Sequence, residues 1–355
     1  MRRTTFRRHV ARSVAAAVVS SVLVACSGGG TSATTDTAAS TAPSTVSTVN
    51  AATRDEAVAV LTSGVIVPAF DDFVSRVGEL GPAIDALCVA PADQAALSAA
   101  RDVWRAARRS WMATRALRFG PVMELRATSK IDFPVDPDKV SALVAGSDPL
   151  DPTSLSGLGA DQRGLGAVEL LLFVDDDITA RDCEMAASAT ALVLTASIEV
   201  SDAWRDQPPT DTKAFVDGIV NGAIFALVDV GDQQLGKASG DVSGVPEFAE
   251  VDDGPAHSAL DDIQAILSGV TAVVNGGLGA LTATISPDAA ARLSVELSAT
   301  AAAVAAVRAP IADTVDTAAL SAAYAAVQPP LRTLRAEISS VLGVTLTLGD
   351  ADGDS

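Results

Sequence analysis

One carboxylate stands within a strongly apolar segment of this sequence. Residues 164–173 read GLGAVELLLF, and Glu169 is the only charged residue among them. The segment has the composition of a buried helix, and a buried carboxylate is costly unless it is paired or functional. Glu169 is therefore a functional acid, or an acid that an arginine satisfies, or one that lies on the polar side of its helix.

Basic residues concentrate in one stretch of an acidic chain. The 355 residues include 25 Lys and Arg against 44 Asp and Glu, a net charge of −19. Residues 101–130 nevertheless hold eight basic residues against two acidic ones. A stripe at helical spacing runs through this stretch: Trp104, Arg108, Trp111 and Arg115. These arginines could form an anion-binding site or pair with the Glu169 carboxylate. The alternative is that they are solvated and form ion pairs with acidic residues elsewhere in the chain.

Histidine and cysteine are too scarce for a metal cluster rich in either residue, since the chain has two histidines and three cysteines. His257, followed by Ser258, lies at the start of a predicted helix, shortly after two aspartates. Such a histidine is either a surface or capping residue, or a metal ligand that acts together with carboxylate oxygens.

The composition favours helices and excludes several classes of protein. Hydrophobic residues make up 48% of the chain and aromatic residues only 4%, and the apolar mass is Ala, Val and Leu. A disordered chain, a collagen and a small disulfide scaffold are excluded. The negative charge also argues against nucleic acid as a partner and against a polybasic route to an anionic membrane.

Apolar residues recur at helical spacing along most of the chain, and no series of alternating strand residues occurs. Helices are predicted at about 54–87, 92–117, 163–173, 179–204, 211–235, 257–275, 287–307 and 317–342. We expect the first to break near Pro68 and Pro82, the last to kink at Pro329-Pro330, and residues 119–160 to be rich in loops. The sequence thus predicts an all-α protein of two packed helical lobes, residues 54–208 and 209–355.

The N-terminus has the layout of an export signal. Five arginines precede a short apolar run, residues 13–25, which ends in Leu-Val-Ala-Cys26. This pattern predicts a lipoprotein signal peptide at 1–25 and lipidation of Cys26; the alternative is an ordinary signal peptide with a chance cysteine. Residues 26–53 are mostly Ser, Thr and Ala, which predicts a flexible tether. We expect an exported protein that is lipid-anchored in the bacterial cell envelope, in the periplasm or at the outer membrane.

Two cysteines, Cys88 and Cys183, remain in the predicted folded body. An exported protein usually pairs two such thiols in a disulfide bond. The alternative is two separately buried free thiols.

Several separated segments together resemble the imelysin family of bacterial exported proteins, also described as insulin-cleaving or iron-regulated. The matching segments are WRAARRSWMATRALRFGPV (104–122), KIDFPVDPD (130–138), GLGAVELLLF (164–173), the helix at 181–204 and LGVTLTLGDADGD (342–354). The resemblance implies two related helical bundles with a site in the cleft between them. The family motif is G-x-H-x-x-E; Gly164 and Glu169 fill its ends, but Gly166 stands at the histidine position.

Two functions follow from this resemblance. The first is an envelope protein that binds a ligand, with iron or another metal ion as candidate, at the interlobe cleft and works with metal-uptake partner proteins. The ligand-binding candidates are Gly164, Gly166, Glu169, Arg108, Arg115, His257 and Ser258. The alternative is a metallopeptidase that binds iron or zinc through Glu169 and His257. We favour the first, because Gly166 offers no ligand and a hydrolytic metal needs several protein ligands.

Overall fold

The helical periods of the sequence form twelve helices in the computed structural model, which describes residues 50–248, 251, 254–308, 311 and 317–347. The predicted signal peptide, Cys26, the tether up to residue 49 and the C-terminal segment from residue 348 lie outside these residues. In chain order the helices are α1 (Ala51–Val89), α2 (Gln94–Ala113), α3 (Pro121–Glu124), α4 (Ala127–Ile131), α5 (Pro137–Ala145), α6 (Pro152–Ser156), α7 (Leu165–Phe173), α8 (Ala180–Asp206), α9 (Thr212–Ser239), α10 (Ala259–Ala283), α11 (Pro287–Ala305) and α12 (317–342). No strand occurs in the described part of the chain, so the prediction of an all-α fold is confirmed.

The predicted break of the first long helix near Pro68 and Pro82 is wrong. Helix α1 is continuous through Pro68 and Pro82, and a π-helical turn, Thr62–Ile66, ends two residues before Pro68. This wider turn accommodates a residue that has no amide hydrogen to donate. In α12, the carbonyl of Ala326, which Pro330 cannot bond, accepts a hydrogen bond of 2.6 Å from Thr300 Oγ1 on α11. Neighbouring groups therefore offset the defects that proline introduces.

The segment between α2 and α7 is more helical than the sequence suggested. The predicted loop-rich stretch, 119–160, contains the four short helices α3 to α6, three of which begin at a proline. Proline suits the first helical position because its missing amide would have no partner there. Helix α1 also starts inside the predicted tether, with Asn50 as its N-cap: the Asn50 side chain accepts from Thr53 N at 2.9 Å.

A disulfide bond links Cys88, near the end of α1, to Cys183, near the start of α8, with the two Cα atoms 5.7 Å apart. The predicted pairing is confirmed. The bond ties together two long helices that also pack against each other along their length.

Two glycines bring helix backbones unusually close to the end of α2. A Cβ atom built on Gly269 of α10 would lie 2.0 Å from the carbonyl oxygen of Ala113, and one built on Gly222 of α9 would lie 2.1 Å from that of Ala116. Any side chain would therefore collide with main chain at both places. Helices from the C-terminal half thus pack directly on the end of α2, and the described residues between 50 and 347 belong to one compact unit by their contacts. The division into lobes at residue 208 stays a prediction.

Four helices, α1, α8, α9 and α10, are long and apolar enough to cross a membrane by length and composition alone. Between 33% and 67% of the most apolar window of each is buried inside the protein. Many of the apolar residues in these helices therefore pack in the core of the protein.

Candidate functional site

Helix α2 fixes the position of α7, which carries Glu169. The buried Trp104 donates its Nε1–H to the carbonyl of Leu165, 3.0 Å away, at the start of α7. Arg101 donates its Nε–H to the carbonyl of Leu172, 2.6 Å away, near the end of α7. Because both donors belong to α2, α7 cannot slide along α2 without losing one of these bonds. The two bonds therefore set where Glu169 lies.

Arg108 is the centre of a buried polar group that we call the Arg108 cluster: Arg108, Trp111, Asp132, Ser258 and Asp262. Arg108 donates from Nε to Asp262 Oδ2 at 3.0 Å and from Nη1 to Asp132 Oδ1. Trp111 Nε1 donates to the other oxygen of Asp132 at 3.1 Å, and Ser258 Oγ donates to Asp262 Oδ2 at 3.2 Å. The side chains of Arg108 and Asp262 are each 6% exposed, so a variant that lost one partner would bury an uncompensated charge.

Glu169 lies beneath the loop that also supplies Ser258. Glu169 is 9% exposed, and its Oε1 accepts a hydrogen bond of 3.0 Å from the backbone N–H of Ala256. Gly254 passes directly over the carboxylate, since a Cβ there would lie 2.2 Å from Glu169 Oε1. A position on an exposed helix face is thus excluded for Glu169. Loop 254–258 contacts Glu169 and, through Ser258, Asp262.

His257 belongs to this loop but is exposed, whereas Ala256 and Ser258 on either side are buried. Its backbone is left-handed, with a φ of 53°. This conformation is uncommon for a residue with a side chain, although histidine is among the residues enriched there. The structure therefore brings Ser258 into the buried cluster and leaves the predicted metal ligand His257 at the surface.

The two motif glycines differ in what surrounds them. Gly164 has a φ of 86°, and a Cβ there would lie 2.7 Å from the carbonyl oxygen of Ile131, so only glycine fits. A Cβ on Gly166 would lie 3.2 Å from Val135 Cγ1 and 3.8 Å from the carbonyl oxygen of Phe133. Val135 thus fills the direction in which a side chain at position 166 would extend.

The predicted arginine stripe ends before Arg115. Helix α2 stops at Ala113, and a 3₁₀ turn follows, so Arg115 turns away and forms an ion pair with Asp229 of α9 at 2.9 Å. Arg118 instead lies over the ring of Trp111, 4.2 Å from its centroid. Burial, and then the nearby charge of Arg115, lower the pKa of Arg118 well below its usual value. Arg118, rather than Arg115, is the second arginine beside the cluster.

Two acids of the cluster, Asp132 and Asp262, were not predicted from the sequence. Asp132 lies 24 positions from Arg108, within the KIDFPVDPD segment, and Asp262 lies 154 positions from it. A weak signal existed for Asp262, because it stands four residues after Ser258, one helical turn further on. Nothing in the sequence points from either acid to Arg108.

A resident metal ion does not fit these side chains as they are arranged. Across the described ranges, no three His, Cys, Asp or Glu side chains form a group that could hold a metal ion. The acids instead accept hydrogen bonds from Arg108, Trp111 and the backbone of Ala256. Any metal ion bound here would require the acids to exchange these partners.

The all-α fold and the buried Glu169 after Gly164 can be compared with known protein families and structures. Residues 66–338 match the family model for imelysin, the M75 peptidase family. The chain therefore belongs to the imelysin family. No curated protein matches it.

Two solved structures share the fold. One is an imelysin-like protein from Psychrobacter arcticum, with a TM-score of 0.75 and 18% identity, covering 85% of this chain and 100% of its own. The other is described as an iron-regulated protein A precursor from Parabacteroides distasonis, with a TM-score of 0.72 and 18% identity, covering 84% and 97% respectively. At this identity the likeness concerns the fold.

Proposed function

We propose that this chain is a lipid-anchored protein of the bacterial cell envelope that binds a cation at the Arg108 cluster and Glu169, without peptidase activity. Iron or another metal ion is the candidate ligand, bound as cargo. The observation that carries the proposal is the gathering of carboxylates at one place. Asp132 and Asp262 flank Arg108, and loop 254–258 bonds both Asp262, through Ser258, and the buried carboxylate of Glu169, through Ala256. Carboxylate oxygens are common ligands of metal ions, so these acids would take up a cation by exchanging their present hydrogen bonds for it.

The loop supports reversible binding. Ala256 bonds Glu169 and Ser258 bonds Asp262, so one movement of loop 254–258 would release both acids together. Gly254 is exposed, which leaves the loop open to solvent on its outer side. On binding, Glu169 and Asp262 would lose their hydrogen bonds to the loop and would contact the cation instead.

Three observations support a place in the cell envelope. The sequence up to Cys26 has the layout of a lipoprotein signal. The bond between Cys88 and Cys183 suits an oxidising compartment. One structural neighbour is described as an iron-regulated precursor. Metal-uptake proteins in the same envelope are the partners that such a cargo would imply.

The surroundings of Glu169 argue against hydrolysis. A catalytic metal needs several protein ligands and an open position for water. Gly166 supplies no ligand, Val135 fills the space beside it, and His257 is exposed. The metallopeptidase alternative would therefore need Glu169 to exchange its bond to Ala256 for a metal ion, and further ligands to be brought to that ion.

Calorimetric titration tests the binding proposal. The purified chain is titrated with ferrous iron, zinc and calcium, beside Glu169→Gln and the exposed control Glu79→Gln. We expect wild type and the control to bind one of the ions equally, and Glu169→Gln to bind it at least tenfold more weakly, about 1.4 kcal/mol. Absence of binding by wild type, or equal binding by Glu169→Gln, would overturn the proposal.

A second assay tests the absence of hydrolysis. Wild type and Glu169→Gln are incubated with an unfolded protein substrate and the same ions, with and without a chelator. We expect no cleavage. Chelator-sensitive cleavage by wild type that Glu169→Gln abolishes would establish the peptidase alternative.

A further inference from the structure

A groove separate from the Arg108 cluster lies where the chain passes from α8 to α9. Its volume is about 670 Å³, within the range of roughly 300–1,000 Å³ typical of small-molecule sites. The walls come from the 119–124 segment, the end of α8, the linker at 207–211 and the first turns of α9. No residue of the Arg108 cluster lines it, nor does Glu169.

Three aromatic rings form the floor of this groove. Phe119 packs edge-to-face on Trp204 and on Phe215, with centroids 5.3 Å and 5.5 Å apart, and Trp204 meets Phe215 at 6.3 Å. Gly218 holds Phe119 in place, because a Cβ there would lie 2.5 Å from its ring. Three of the chain's 13 aromatic residues thus meet in one rigid group.

The walls add further apolar surface that needs no hydrogen bond. Pro121, Pro208 and Pro209 line the groove, and proline carries no backbone N–H. The buried Nε1–H of Trp204 finds no hydrogen-bond partner within the described residues. Buried donors are satisfied in most proteins, so an unsatisfied donor in the floor of a groove is itself an unusual feature.

The polar side chains of the rim are acidic. Glu124 and Asp211 are exposed and line the groove, and no Lys, Arg or His among the described residues does so. Neither carboxylate forms an ion pair in the part of the chain that the structure describes. Asp211 Oδ1 caps α9 through Ala214 N at 2.9 Å, which fixes that carboxylate at the rim. An aromatic floor below unpaired carboxylates is complementary to a positive charge that carries an apolar group.

We propose that this groove binds a small organic cation with an apolar body, of the class of substituted ammonium compounds. The apolar body lies on Phe119, Trp204 and the prolines, and the charged end lies between Glu124 and Asp211. The net charge of −19 on the chain attracts such ligands from solution. The site is distinct from the proposed cation site at Glu169.

The probe is benzyltrimethylammonium, titrated calorimetrically into the full chain, with neutral benzyl alcohol as the uncharged comparison. The double variant Glu124→Gln, Asp211→Asn removes both charges, and asparagine keeps the N-cap of α9. Ala214→Lys places a cation in the groove from an exposed position, and Ala99→Lys is the matched control on the exposed face of α2.

We expect wild type and Ala99→Lys to bind the probe equally, the double variant to bind it at least tenfold more weakly, and Ala214→Lys not to bind it. Benzyl alcohol should bind at least tenfold more weakly than the probe. No binding by wild type, unchanged binding by Ala214→Lys, or equal binding of the neutral compound would each overturn the proposal. Thermal unfolding of each variant verifies that it is folded.

Discussion

The close approach of α10 to the end of α2 can be tested with one methyl group. In Gly269→Ala, the new Cβ would lie 2.0 Å from the carbonyl oxygen of Ala113, a backbone atom that cannot rotate away. An ordinary contact needs about 3.4 Å, so the two helices would have to separate by about 1.4 Å. We therefore expect a loss of packing as well as a collision.

The size of the effect follows from two opposing terms. Overpacking of this kind costs about 1–3 kcal/mol and occasionally more, and a displacement of backbone belongs at the upper end. Replacement of a mid-helix glycine by alanine returns about 1 kcal/mol. Gly269→Ala should lower the free energy of unfolding by about 2 kcal/mol.

Gly78→Ala is the matched control. Gly78 is exposed within α1, and a Cβ there would meet nothing within 4 Å. This variant should be more stable than wild type by about 0.5–1 kcal/mol, because only the backbone terms remain. Urea unfolding of both variants gives the comparison, and equal stability of Gly269→Ala and Gly78→Ala would refute the argument.

The same substitution should also affect the site. Gly269 lies two helical turns after Asp262 on α10, and Ala113 lies beyond Arg108 on α2. Separation of the helices would lengthen the bond of 3.0 Å between Arg108 Nε and Asp262 Oδ2. We expect Gly269→Ala to weaken cation binding, and Gly78→Ala to leave it unchanged.

Three further outcomes are expected. Replacement of Cys88 and Cys183 by serine should lower the free energy of unfolding by on the order of 4 kcal/mol, because the bond closes a span of 95 residues. Urea unfolding measures this change, and treatment of wild type with reductant should give the same loss of stability. Burial, then Asp232 and Asp241, raise the pKa of Tyr324, the chain's only tyrosine. The contribution of Tyr324 to stability is therefore present below pH about 10 and is lost as the pH rises through its raised pKa. Ultraviolet titration of the tyrosinate should show a lower pKa of Tyr324 in Asp232→Asn than in wild type. Cys26→Ser should release the protein from the membrane, and a variant that is still membrane-bound and cleaved at the same place would contradict the lipid anchor.

Short-range sequence patterns were sufficient to predict most of the fold. Helical periods located the eight predicted helices within a few residues, except that α10 extends to Ala283, and the export context predicted the bond between Cys88 and Cys183. The predicted break of α1 was wrong for a local reason. Proline removes a hydrogen bond wherever it stands, but the sequence does not show that a π turn forms just before Pro68.

The site was less predictable, because its contacts join distant parts of the chain. Glu169 was identified from its apolar surroundings and Arg108 from its stripe. Asp262 was missed because its bond to Arg108 depends on how α10 packs on α2. Arg115 was wrongly placed on the stripe, since one turn of 3₁₀ helix after Ala113 changes its direction.

The packing of Val135 beside Gly166 determines what a side chain at position 166 would require. A histidine at position 166 would now meet the Val135 side chain, whose Cγ1 lies 3.2 Å from where the Cβ would be. A histidine placed there alone would therefore require the Val135 side chain to shift by a few tenths of an ångström. A double variant, Gly166→His with Val135→Ala, would give the imidazole room that the single variant lacks. Restoration of the missing side chain of G-x-H-x-x-E in this protein thus concerns two positions, 166 and 135.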